Sequence, residues 1–381
     1  MHRRNRSRHS GQSTTEYGIA LALIAVIAIA ALASASVAVG GAFGFINQRI
    51  QAVVPMTNTP TADPTATPTP TPTPPMYATG FDSSNSSVIY ASFDGGTTWT
   101  GQLSLARAQI TGVAAVDATH AYAVGDDGSG NGVIDATADG GTTWDQQLSV
   151  SGDTFMGVGA VDATHAYAVG DELGGDAGYG VIYATADGGT TWTQQFSLLT
   201  SGDAFMGIAA VDATHAYAVG KTGNGYGVIY ATADGGTTWT QQFTTPGLFH
   251  GTAVVDATHA YAVGDDGSGN GVIYATADGG TTWTQQFSAP NYHYFGGVAI
   301  GDATHAYAVA VDAYYGRGGF IYATADGGTT WTQQFSLATG KFSSVMASDA
   351  THAYAVGYDD SYRAAVWSTA NGGTTWTETV L

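Results

Sequence analysis

One eight-residue motif occurs seven times in this chain and constrains its fold more than any other feature. The copies are Ser92–Trp99, Thr137–Trp144, Thr185–Trp192, Thr232–Trp239, Thr276–Trp283, Thr324–Trp331 and Thr369–Trp376. From Trp to Trp the spacings are 45, 48, 47, 44, 48 and 45 residues. Such a steady period indicates supersecondary units that stack to share one core. Seven units of about four short strands each predict an all-β, seven-bladed β-propeller over residues 76–381.

The motif itself reads as a tight turn that leads into a strand. Its Gly-Gly pair permits positive φ, and the acidic residue before that pair can accept N–H groups of the turn. The large Trp ring can bury between blades. The seventh copy has an amide where the others have a carboxylate, which keeps the turn chemistry without the charge. We therefore predict a structural role for Asp94, Asp139, Asp187, Asp234, Asp278, Asp326 and Asn371.

The pattern Ser/Thr-x-Asp-x-Gly-x-Thr-Trp resembles the Asp-box of BNR and sialidase-type propellers. It also resembles the repeats of photosystem II assembly factor propellers. The resemblance implies the propeller fold, and it implies an Asp-box that is a structural turn away from any active site. It does not imply an activity.

The charge is divided sharply along the chain. Residues 1–75 carry five Arg against Glu16 and Asp63, whereas residues 76–381 carry five basic and 28 acidic residues. An acidic head repels nucleic acid, so no nucleic-acid partner is expected. The chain has no Cys, which excludes disulfides and thiolate metal sites and is compatible with life outside the cell.

The N-terminal segment predicts a membrane-inserted helix. Residues 1–11 form a basic leader, and an apolar run extends from Gly18 to about Ile46 within a predicted helix over 12–54. Residues 19–39 alone would form about 30 Å of helix, which spans a bilayer. The Arg cluster places the N-terminus in the cytoplasm and the rest at the cell surface.

The start of this run resembles Flp-type (type IVb, Tad-system) pilins. The residues that carry the resemblance are Gly11, Gln12, Glu16 and Tyr17, followed by the apolar run. It implies cleavage after the Gly, and a Glu that neutralises a neighbouring subunit's new N-terminus as the helices bundle into a filament. The partners would then be other pilin subunits and the membrane. Flp pilins are typically little more than this helix, and a plain signal-anchor helix is the alternative.

Residues 55–75 predict a semi-rigid spacer between this helix and the propeller. Eight of the ten Pro of the chain lie here, alternating with Thr. Such a segment favours polyproline II and cannot build a packed core. At about 3.1 Å per residue it would reach about 65 Å.

A representative repeat predicts four strands, over 208–211, 215–219, 228–232 and 238–243. The sequence Asp-Ala-Thr-His between the first two strands occurs six times, which suggests a tight turn. Its histidines could serve a metal or acid–base site, but a residue that recurs in every blade is better explained as part of the blade. These histidines are His120, His165, His215, His259, His305 and His352.

Antiparallel order places the two repeated turns on one face and the variable loops on the other. Variable loops on a rigid scaffold usually carry function, and these loops combine aromatic residues, acids and a few Arg. We predict that this face binds a glycan or protein ligand. Its candidate residues are Glu172, Tyr226, Tyr292, Tyr294, Tyr314, Tyr315, Arg317, Tyr358 and Arg363.

Neither a cofactor nor a catalytic set is predicted. Weak candidates for Ca²⁺ ligands are Asp126 and Asp127, and Asp265 and Asp266 in an identical loop, although the spacing is not that of an EF-hand. The resemblance implies that a sialidase-like enzyme would use an arginine cluster, a Tyr–Glu pair and an Asp, and this head has only Arg107, Arg317 and Arg363. Glycosidases in general use paired carboxylates, and Glu172 lacks an obvious partner in the sequence. We therefore expect a non-enzymatic protein. A surface-anchored glycosidase and a membrane-anchored assembly factor are the alternatives.

The first repeat lacks the small-residue first strand that the other six have. It opens at Met76-Tyr-Ala-Thr-Gly80, which matches the second strand of the other repeats. We therefore expect 27 strands, with the innermost place of the first blade empty or loosely filled by the spacer. The exposed strand edge would make this blade the one that opens most easily.

The pilin resemblance generates a processing prediction. We expect cleavage between Gly11 and Gln12, which N-terminal sequencing of the mature surface-exposed protein from its native host detects. Glu16→Ala is expected to leave membrane insertion intact and to weaken assembly, because only subunit pairing needs the carboxylate. An intact Met1 on the surface form would contradict the pilin interpretation.

Overall fold

The computed structural model describes residues 27–29, 76–81, 86–105, 108–172, 178–289, 293–312, 318–361 and 363–381. These residues form seven four-stranded antiparallel sheets, which are the seven predicted blades. Strands β1 to β4 form blade 1, and each later blade takes the next four strands in chain order. Each sheet is therefore a simple meander, the arrangement typical of a β-propeller.

The 28 strands have the following bounds. Blades 1 and 2 contain β1 Ile27–Ile29, β2 Met76–Phe81, β3 Ser87–Ser92, β4 Thr100–Leu105, β5 Gln109–Ala115, β6 Ala121–Asp126, β7 Asn131–Thr137 and β8 Asp145–Ser151. Blades 3 and 4 contain β9 Asp153–Ala160, β10 Ala166–Glu172, β11 Tyr179–Thr185, β12 Thr193–Ser197, β13 Ala204–Ala210, β14 Ala216–Lys221, β15 Tyr226–Thr232 and β16 Thr240–Pro246. Blades 5 to 7 contain β17 Leu248–Val254, β18 Ala260–Asp265, β19 Gly271–Thr276, β20 Thr284–Ala289, β21 His293–Ile300, β22 Ala306–Asp312, β23 Gly319–Thr324, β24 Thr332–Ser336, β25 Lys341–Ala347, β26 Ala353–Tyr358, β27 Ala364–Thr369 and β28 Thr377–Val380.

The two repeated turns of each blade lie side by side on one face. In blade 4 the backbone N–H of Gly235, in the Asp-box, donates to the carbonyl of Thr214, in the Asp-Ala-Thr-His turn, at 3.0 Å. The same bond recurs in all six blades that have both turns. We call this side the repeated face. The opposite side, which carries the loops between strands two and three and from blade to blade, is the variable face.

The core lies between neighbouring blades, and a recurring aromatic pair marks six of the seven junctions. Tyr217 of blade 4 meets the Asp-box Trp283 of blade 5 edge to face, with ring centroids 5.9 Å apart. Equivalent pairs join five other junctions, from Tyr77–Trp144 to Tyr307–Trp376. Such pairs contribute about 0.5–1.5 kcal/mol each beyond their buried area. The period of the motif therefore encodes contacts between blades as well as the turn within each blade.

Around the axis the innermost strands approach one another at a ring of small residues. Each of the six innermost strands β5, β9, β13, β17, β21 and β25 has a β-bulge, followed by Gly112, Gly157, Gly207, Gly251, Gly297 or Ser344. A Cβ added at Gly207 would lie 3.0 Å from the carbonyl oxygen of His250 in the next blade. The missing side chains therefore let the blades pack closely at the centre.

Blade 1 differs from the prediction of 27 strands, which was wrong. The strand Ile27–Ile29 occupies its innermost place and pairs antiparallel with Met76, Tyr77 and Ala78 of β2. These β2 residues are buried, so backbone groups left unpaired at this edge would be costly. The edge thus gains a strand from far upstream in the chain, and the spacer sequence does not supply it.

The predicted helix over residues 12–54 lies outside the described residues except for Ile27–Ile29, and those three residues are extended. Within the described part of the chain, no helix has the length and apolar character needed to cross a bilayer. The pilin-like residues Gly11, Gln12, Glu16 and Tyr17 are not among the described residues.

Blade 7 and blade 1 close the ring through side chains. Met76 and Ala78 of blade 1 form one buried cluster with Met346, Tyr354 and Val356 of blade 7. The Tyr354 hydroxyl donates to the Gly95 carbonyl at 3.2 Å. In four other blades the hydroxyl of the equivalent Tyr donates to a carbonyl of an Asp-Ala-Thr-His turn, such as that of Ala350 for Tyr307. Blade 1 has no such turn, and its Asp-box supplies the acceptor instead.

The glycine ring generates a stability prediction. Gly207→Ala should destabilise the propeller by about 1–3 kcal/mol, because its Cβ would need the space held by the His250 carbonyl. Gly297→Ala is the matched control, because its Cβ would lie at an ordinary 3.5 Å from Ser344 Cα. Urea denaturation followed by Trp fluorescence measures both. Equal effects of the two substitutions would show that close approach at the axis does not limit stability.

Candidate binding face

Each Asp-box is a closed network in which the first and third residues accept the hydrogen bonds of the turn. In blade 4, Asp234 Oδ1 accepts the backbone N–H of Thr238 at 2.8 Å, and Oδ2 accepts the hydroxyl of the same residue at 2.7 Å. Thr232 Oγ1 accepts the N–H of Gly236 at 2.9 Å. Gly235 and Gly236 have φ of 71° and 87°, which glycine adopts readily.

Burial distinguishes these two acceptors. The Asp234 side chain is exposed, whereas the first residue of all seven boxes is buried, with exposed fractions between 1% and 5%. Hydrogen bonds from Thr238 are the largest cause of the lowered pKa of the Asp234 carboxyl. In blade 7, Asn371 Oδ1 accepts the N–H of Thr375 at 3.0 Å. An amide can therefore replace the carboxylate, and the buried hydroxyl is the more demanding position.

The Asp-Ala-Thr-His turns use their histidines locally. Asp212 Oδ1 accepts the N–H groups of Thr214 and His215 at 2.7 and 2.8 Å, and His215 Nδ1 lies 3.1 Å from the same oxygen. Partial burial raises the pKa of Asp212, but hydrogen bonds from Thr214 and His215 outweigh it and lower that pKa to about 2. The same contacts recur with His120, His165, His259, His305 and His352. Each His is thus oriented by its own turn.

Five of the predicted ligand-face residues are described, and they belong to four blades. Glu172 ends β10 of blade 3, and Tyr226 begins β15 of blade 4 with 48% of its surface exposed. Tyr294 lies half-buried in β21 of blade 6. Tyr358 and Arg363 flank the loop between β26 and β27 of blade 7, where the Arg363 guanidinium pairs with Asp359 at 2.6 Å. Tyr292, Tyr314, Tyr315 and Arg317 lie outside the described residues.

Blades 5 and 6 bring polar and aromatic groups together on the variable face. The ring of Tyr294 lies 5.4 Å from that of His250, and His250 Nε2 lies 3.9 Å from Asp265 Oδ2. His293 stacks on Phe320 with centroids 3.9 Å apart. Burial, followed by nearby Lys221, lowers the pKa of His250 to about 4. A neutral imidazole beside a Tyr and a carboxylate can accept or donate hydrogen bonds to a polar ligand.

Blade 3 holds a carboxylate pair that sequence reasoning missed. Asp153 begins β9 and faces Glu172 directly in the β9–β10 pairing, so Glu172 does have a partner. Asp153 is 2% exposed, and its Oδ2 has no hydrogen-bond partner among the described residues. Burial raises the pKa of Asp153 to about 6, a hydrogen bond from Tyr183 opposes the rise, and the charges of Glu172 and Asp171 add to it. The register of β9 against β10 brings these two residues together, and no sequence motif predicts the pair.

The weak candidates for Ca²⁺ ligands accept hydrogen bonds from other residues of their own loops. Asp127 Oδ1 accepts the N–H groups of Ser129 and Asn131, and its Oδ2 accepts the Asn131 amide. Asp266 makes the same three contacts in the identical loop. Asp126 and Asp265 accept the N–H of Gly128 and of Gly267. Across the described residues, no three His, Asp or Glu side chains are grouped so that they could hold a metal ion.

A cleft of about 210 Å³ lies on the repeated face, at the junction of blades 4 and 5. His215, Asp234, Thr238 and Gln242 of blade 4 line it, opposite Ala257 and Gly279 of blade 5. The Asp and His are already engaged in the two repeated turns. This cleft is therefore a seam between blades, and the features that differ from blade to blade lie on the other face.

Comparison with solved structures supports the fold. YCF48 bound to D1 peptide is 20% identical, with a TM-score of 0.52 over 72% of this chain and 83% of that chain. YCF48 from Cyanidioschyzon merolae is 17% identical, with a TM-score of 0.54 over 79% and 92%. The GH74 enzyme of Niastella koreensis is 14% identical, with a TM-score of 0.52 over 93% and 67%. Likenesses at this level of identity establish the propeller architecture alone. No family model and no curated protein sequence matches the chain.

The Asp-box geometry generates a prediction about the buried hydroxyl. Thr232→Val keeps the shape of the side chain but leaves the buried N–H of Gly236 without its acceptor. We expect a loss of about 1–3 kcal/mol in the free energy of unfolding. Asp234→Asn is the control and should cost less, because Asn371 already fills this position in blade 7. A larger effect of Asp234→Asn in chemical denaturation would reverse this assignment.

The Asp153 environment generates a prediction about pH. Because its folded pKa is raised to about 6, the protonated form is favoured on folding, and stability falls as pH rises from the usual 3.8 through 6. Asp153→Asn should therefore raise stability at about pH 8 by about 1–3 kcal/mol and change little at about pH 4. Asp203→Asn is the matched control. Asp203 is equally buried but accepts the N–H of Gly223, so its replacement should bring no such gain. Thermal melts at both pH values decide between these outcomes.

Proposed function

We propose that this chain is a pilin-like, surface-displayed and non-enzymatic propeller that binds a protein or glycan ligand through its variable face. One observation carries the proposal. Blades that share nearly identical turns on the repeated face differ on the variable face, where they carry Tyr226, the His250–Tyr294–Asp265 group, and Tyr358 with Arg363. Differences confined to one face of a rigid scaffold are typical of ligand recognition.

The location rests on the N-terminal sequence. The basic leader, the apolar run with Glu16 and the Pro/Thr spacer support display at the cell surface through a helix that also assembles with other pilin subunits. The plain membrane anchor predicts the same orientation without assembly. The cleavage test after Gly11 separates the two.

A polypeptide is the first ligand class to test. YCF48, with the same architecture, is described bound to a D1 peptide, which supports a protein-binding role and the related alternative of a membrane-anchored assembly factor. A lectin from Burkholderia pseudomallei, 12% identical with a TM-score of 0.57 over 80% of this chain and 94% of that chain, supports keeping glycans in the same screen.

The test compares the two faces of the full-length protein on peptide and glycan arrays. We expect the combined variant Tyr226→Ala, Tyr294→Ala and Arg363→Ala to lose the array features that the unmodified protein binds. The matched control changes three side chains of the repeated face, His120→Ala, His259→Ala and His352→Ala, and should keep them. Loss of binding in the control with retention in the first variant would place the ligand on the wrong face for this proposal.

The glycosidase alternative is favoured by one specific observation. Asp153, with its raised pKa, faces Glu172 on the variable face, and a protonated carboxyl beside a second carboxylate is the pair that glycoside hydrolysis requires. The GH74 enzyme shares the fold at a level that shows the architecture alone. A polysaccharide hydrolysis screen of the full chain tests it. Activity abolished by Asp153→Asn would replace the non-enzymatic proposal, and no activity on any substrate would leave binding as the function.

A further inference from the structure

Three consecutive blades depart from the repeat at neighbouring positions of their inner strands. Where the second strand reaches the variable face, blades 2, 3 and 5 have an Asp, whereas blade 4 has Lys221. At the β-bulge of the innermost strand, blade 5 has His250, whereas the other five blades with this bulge have Thr, Met, Gly or Ser. Tyr294 of blade 6 holds the innermost-strand position that is Ala204 in blade 4. Because other blades form the same sheet without these three side chains, the fold does not require them.

Lys221, His250 and Tyr294 meet Asp265 of blade 5, and we call these four residues the junction group. His250 Nε2 lies 3.9 Å from Asp265 Oδ2, and the His250 ring lies 5.4 Å from that of Tyr294. Lys221 is near enough to add to the effect of burial in lowering the pKa of His250. Asp265 adds in the same way to the effect of burial in raising the pKa of Tyr294. Each member therefore neighbours at least one other, although the four come from three blades.

The junction group is accessible and keeps hydrogen-bonding capacity for a ligand. The side chains of His250 and Asp265 are 26% and 19% exposed, and Lys221 and Tyr294 are half-buried. Asp265 Oδ1 accepts the N–H of Gly267 at 2.9 Å, which leaves Oδ2 with only the longer contact to His250. In the part of the chain that the structure describes, no carboxylate oxygen lies within 4.0 Å of the Lys221 ammonium, and the Tyr294 hydroxyl has no hydrogen-bond partner. Donors and acceptors of the group are therefore available to a bound molecule.

The group carries one charge of each sign and two neutral polar side chains. Burial, followed by the charge of Lys221, lowers the pKa of His250 to about 4, so its imidazole is neutral at neutral pH. Lys221 and Asp265 belong to one group, yet they form no ion pair with each other. A ligand with a single charge would pair with one of them and remove water from the other at a cost. A ligand with both charges can form a charge-assisted hydrogen bond with each.

We propose that the junction group binds a zwitterionic ligand, which presents a carboxylate to Lys221 and a protonated amine to Asp265 across a short spacer. His250 and Tyr294 hydrogen-bond to the polar atoms between the two charges. The inference rests on the proposed ligand-binding role of the variable face, and it names the charge pattern of the ligand. Linear ω-amino acids present this chemistry as free molecules, and neighbouring Glu and Lys side chains present it in a polypeptide.

The test measures binding to the full-length protein at neutral pH by saturation-transfer NMR of the ligand. The first probes are the linear ω-amino acids from glycine to ε-aminocaproate, which differ only in the length of the spacer. We expect saturable binding that is tightest at one length, because both charges must be reached at once. The alkylamine and the alkyl carboxylate of matching length should each bind about tenfold more weakly, since each lacks one charge-assisted hydrogen bond.

Two variants assign each end of the ligand to its residue. In Lys221→Met the ω-amino acid should bind no better than the alkylamine, and in Asp265→Asn it should bind no better than the alkyl carboxylate. The matched controls are Lys341→Met and Asp126→Asn. Lys341 begins the innermost strand of blade 7 on the same face, and Asp126 accepts the N–H of Gly128 in a loop identical to that of Asp265. Both controls should bind as the unmodified chain does.

A second probe distinguishes the two sources of this chemistry. It is the peptide Gly-Glu-Gly-Lys-Gly with blocked ends, whose only charges are its two side chains. Tighter binding of the peptide supports a polypeptide ligand, and tighter binding of an ω-amino acid supports a small molecule. The proposal is overturned if neither probe binds saturably, or if Lys221→Met and Asp265→Asn bind as well as their controls.

The two tests of the variable face fail separately. The array variant changes Tyr226, Tyr294 and Arg363 and keeps both charged residues of the junction group. Array ligands that this variant loses, together with no binding of either zwitterionic probe, would leave the proposed function standing and overturn this inference alone. Zwitterion binding that depends on Lys221 and Asp265, together with array ligands that bind the repeated face, would overturn the proposed function and leave this site.

Discussion

Neighbouring blades hold one another through two contacts, the backbone approach at the axis and the Tyr–Trp pair further out. A four-stranded sheet has two faces and cannot bury both by itself. Here each blade covers its neighbour, and Ile229, Val254, Ala262 and Trp283 belong to one cluster that spans blades 4 and 5. With no Cys in the chain, packing and hydrogen bonding alone close the ring. The glycines at the axis and the tryptophans of the motif are therefore parts of one constraint, which sets how close the blades can come.

The junction of blade 7 with blade 1, which closes the ring, uses different contacts from the other junctions. Blade 1 lacks the Asp-Ala-Thr-His turn and the glycine-containing innermost strand, and two local substitutions compensate. The Tyr354 hydroxyl takes Gly95 as its acceptor, and three residues from far upstream supply part of the missing strand. The substituted strand is the weaker of the two, because it makes three pairs where its counterparts make at least six. The asymmetry of the ring follows from the absence of one strand in the repeated sequence.

The features that repeat could be predicted from the sequence. Those that depend on the pairing register of strands distant in the chain could not. The predicted strands 208–211, 215–219, 228–232 and 238–243 correspond to β13–β16, with shifts of at most four residues at their ends. Because turn and strand signals are local, seven copies reinforced them. The place of Ile27–Ile29 could not be predicted, since an apolar run favours a helix and its partner strand begins 47 residues later. Asp153 and Glu172 likewise looked unrelated until the β9–β10 pairing brought them together.

The buried carboxylates of the variable face differ in whether they stabilise a loop. Asp153, Asp171, Asp203 and Asp359 are all at most 4% exposed, and all lie on the variable face, whereas the carboxylates of the repeated turns are more exposed. Asp203 accepts the N–H of Gly223, and Asp359 accepts that of Arg363 and pairs with its guanidinium. The buried Asp203 and Asp359 therefore stabilise the loops that they contact. Asp153 is different. Desolvation raises its pKa, and its Oδ2 accepts no hydrogen bond from the described residues. A buried charge that costs stability without ordering a loop is a strong candidate for a group retained for ligand recognition or chemistry.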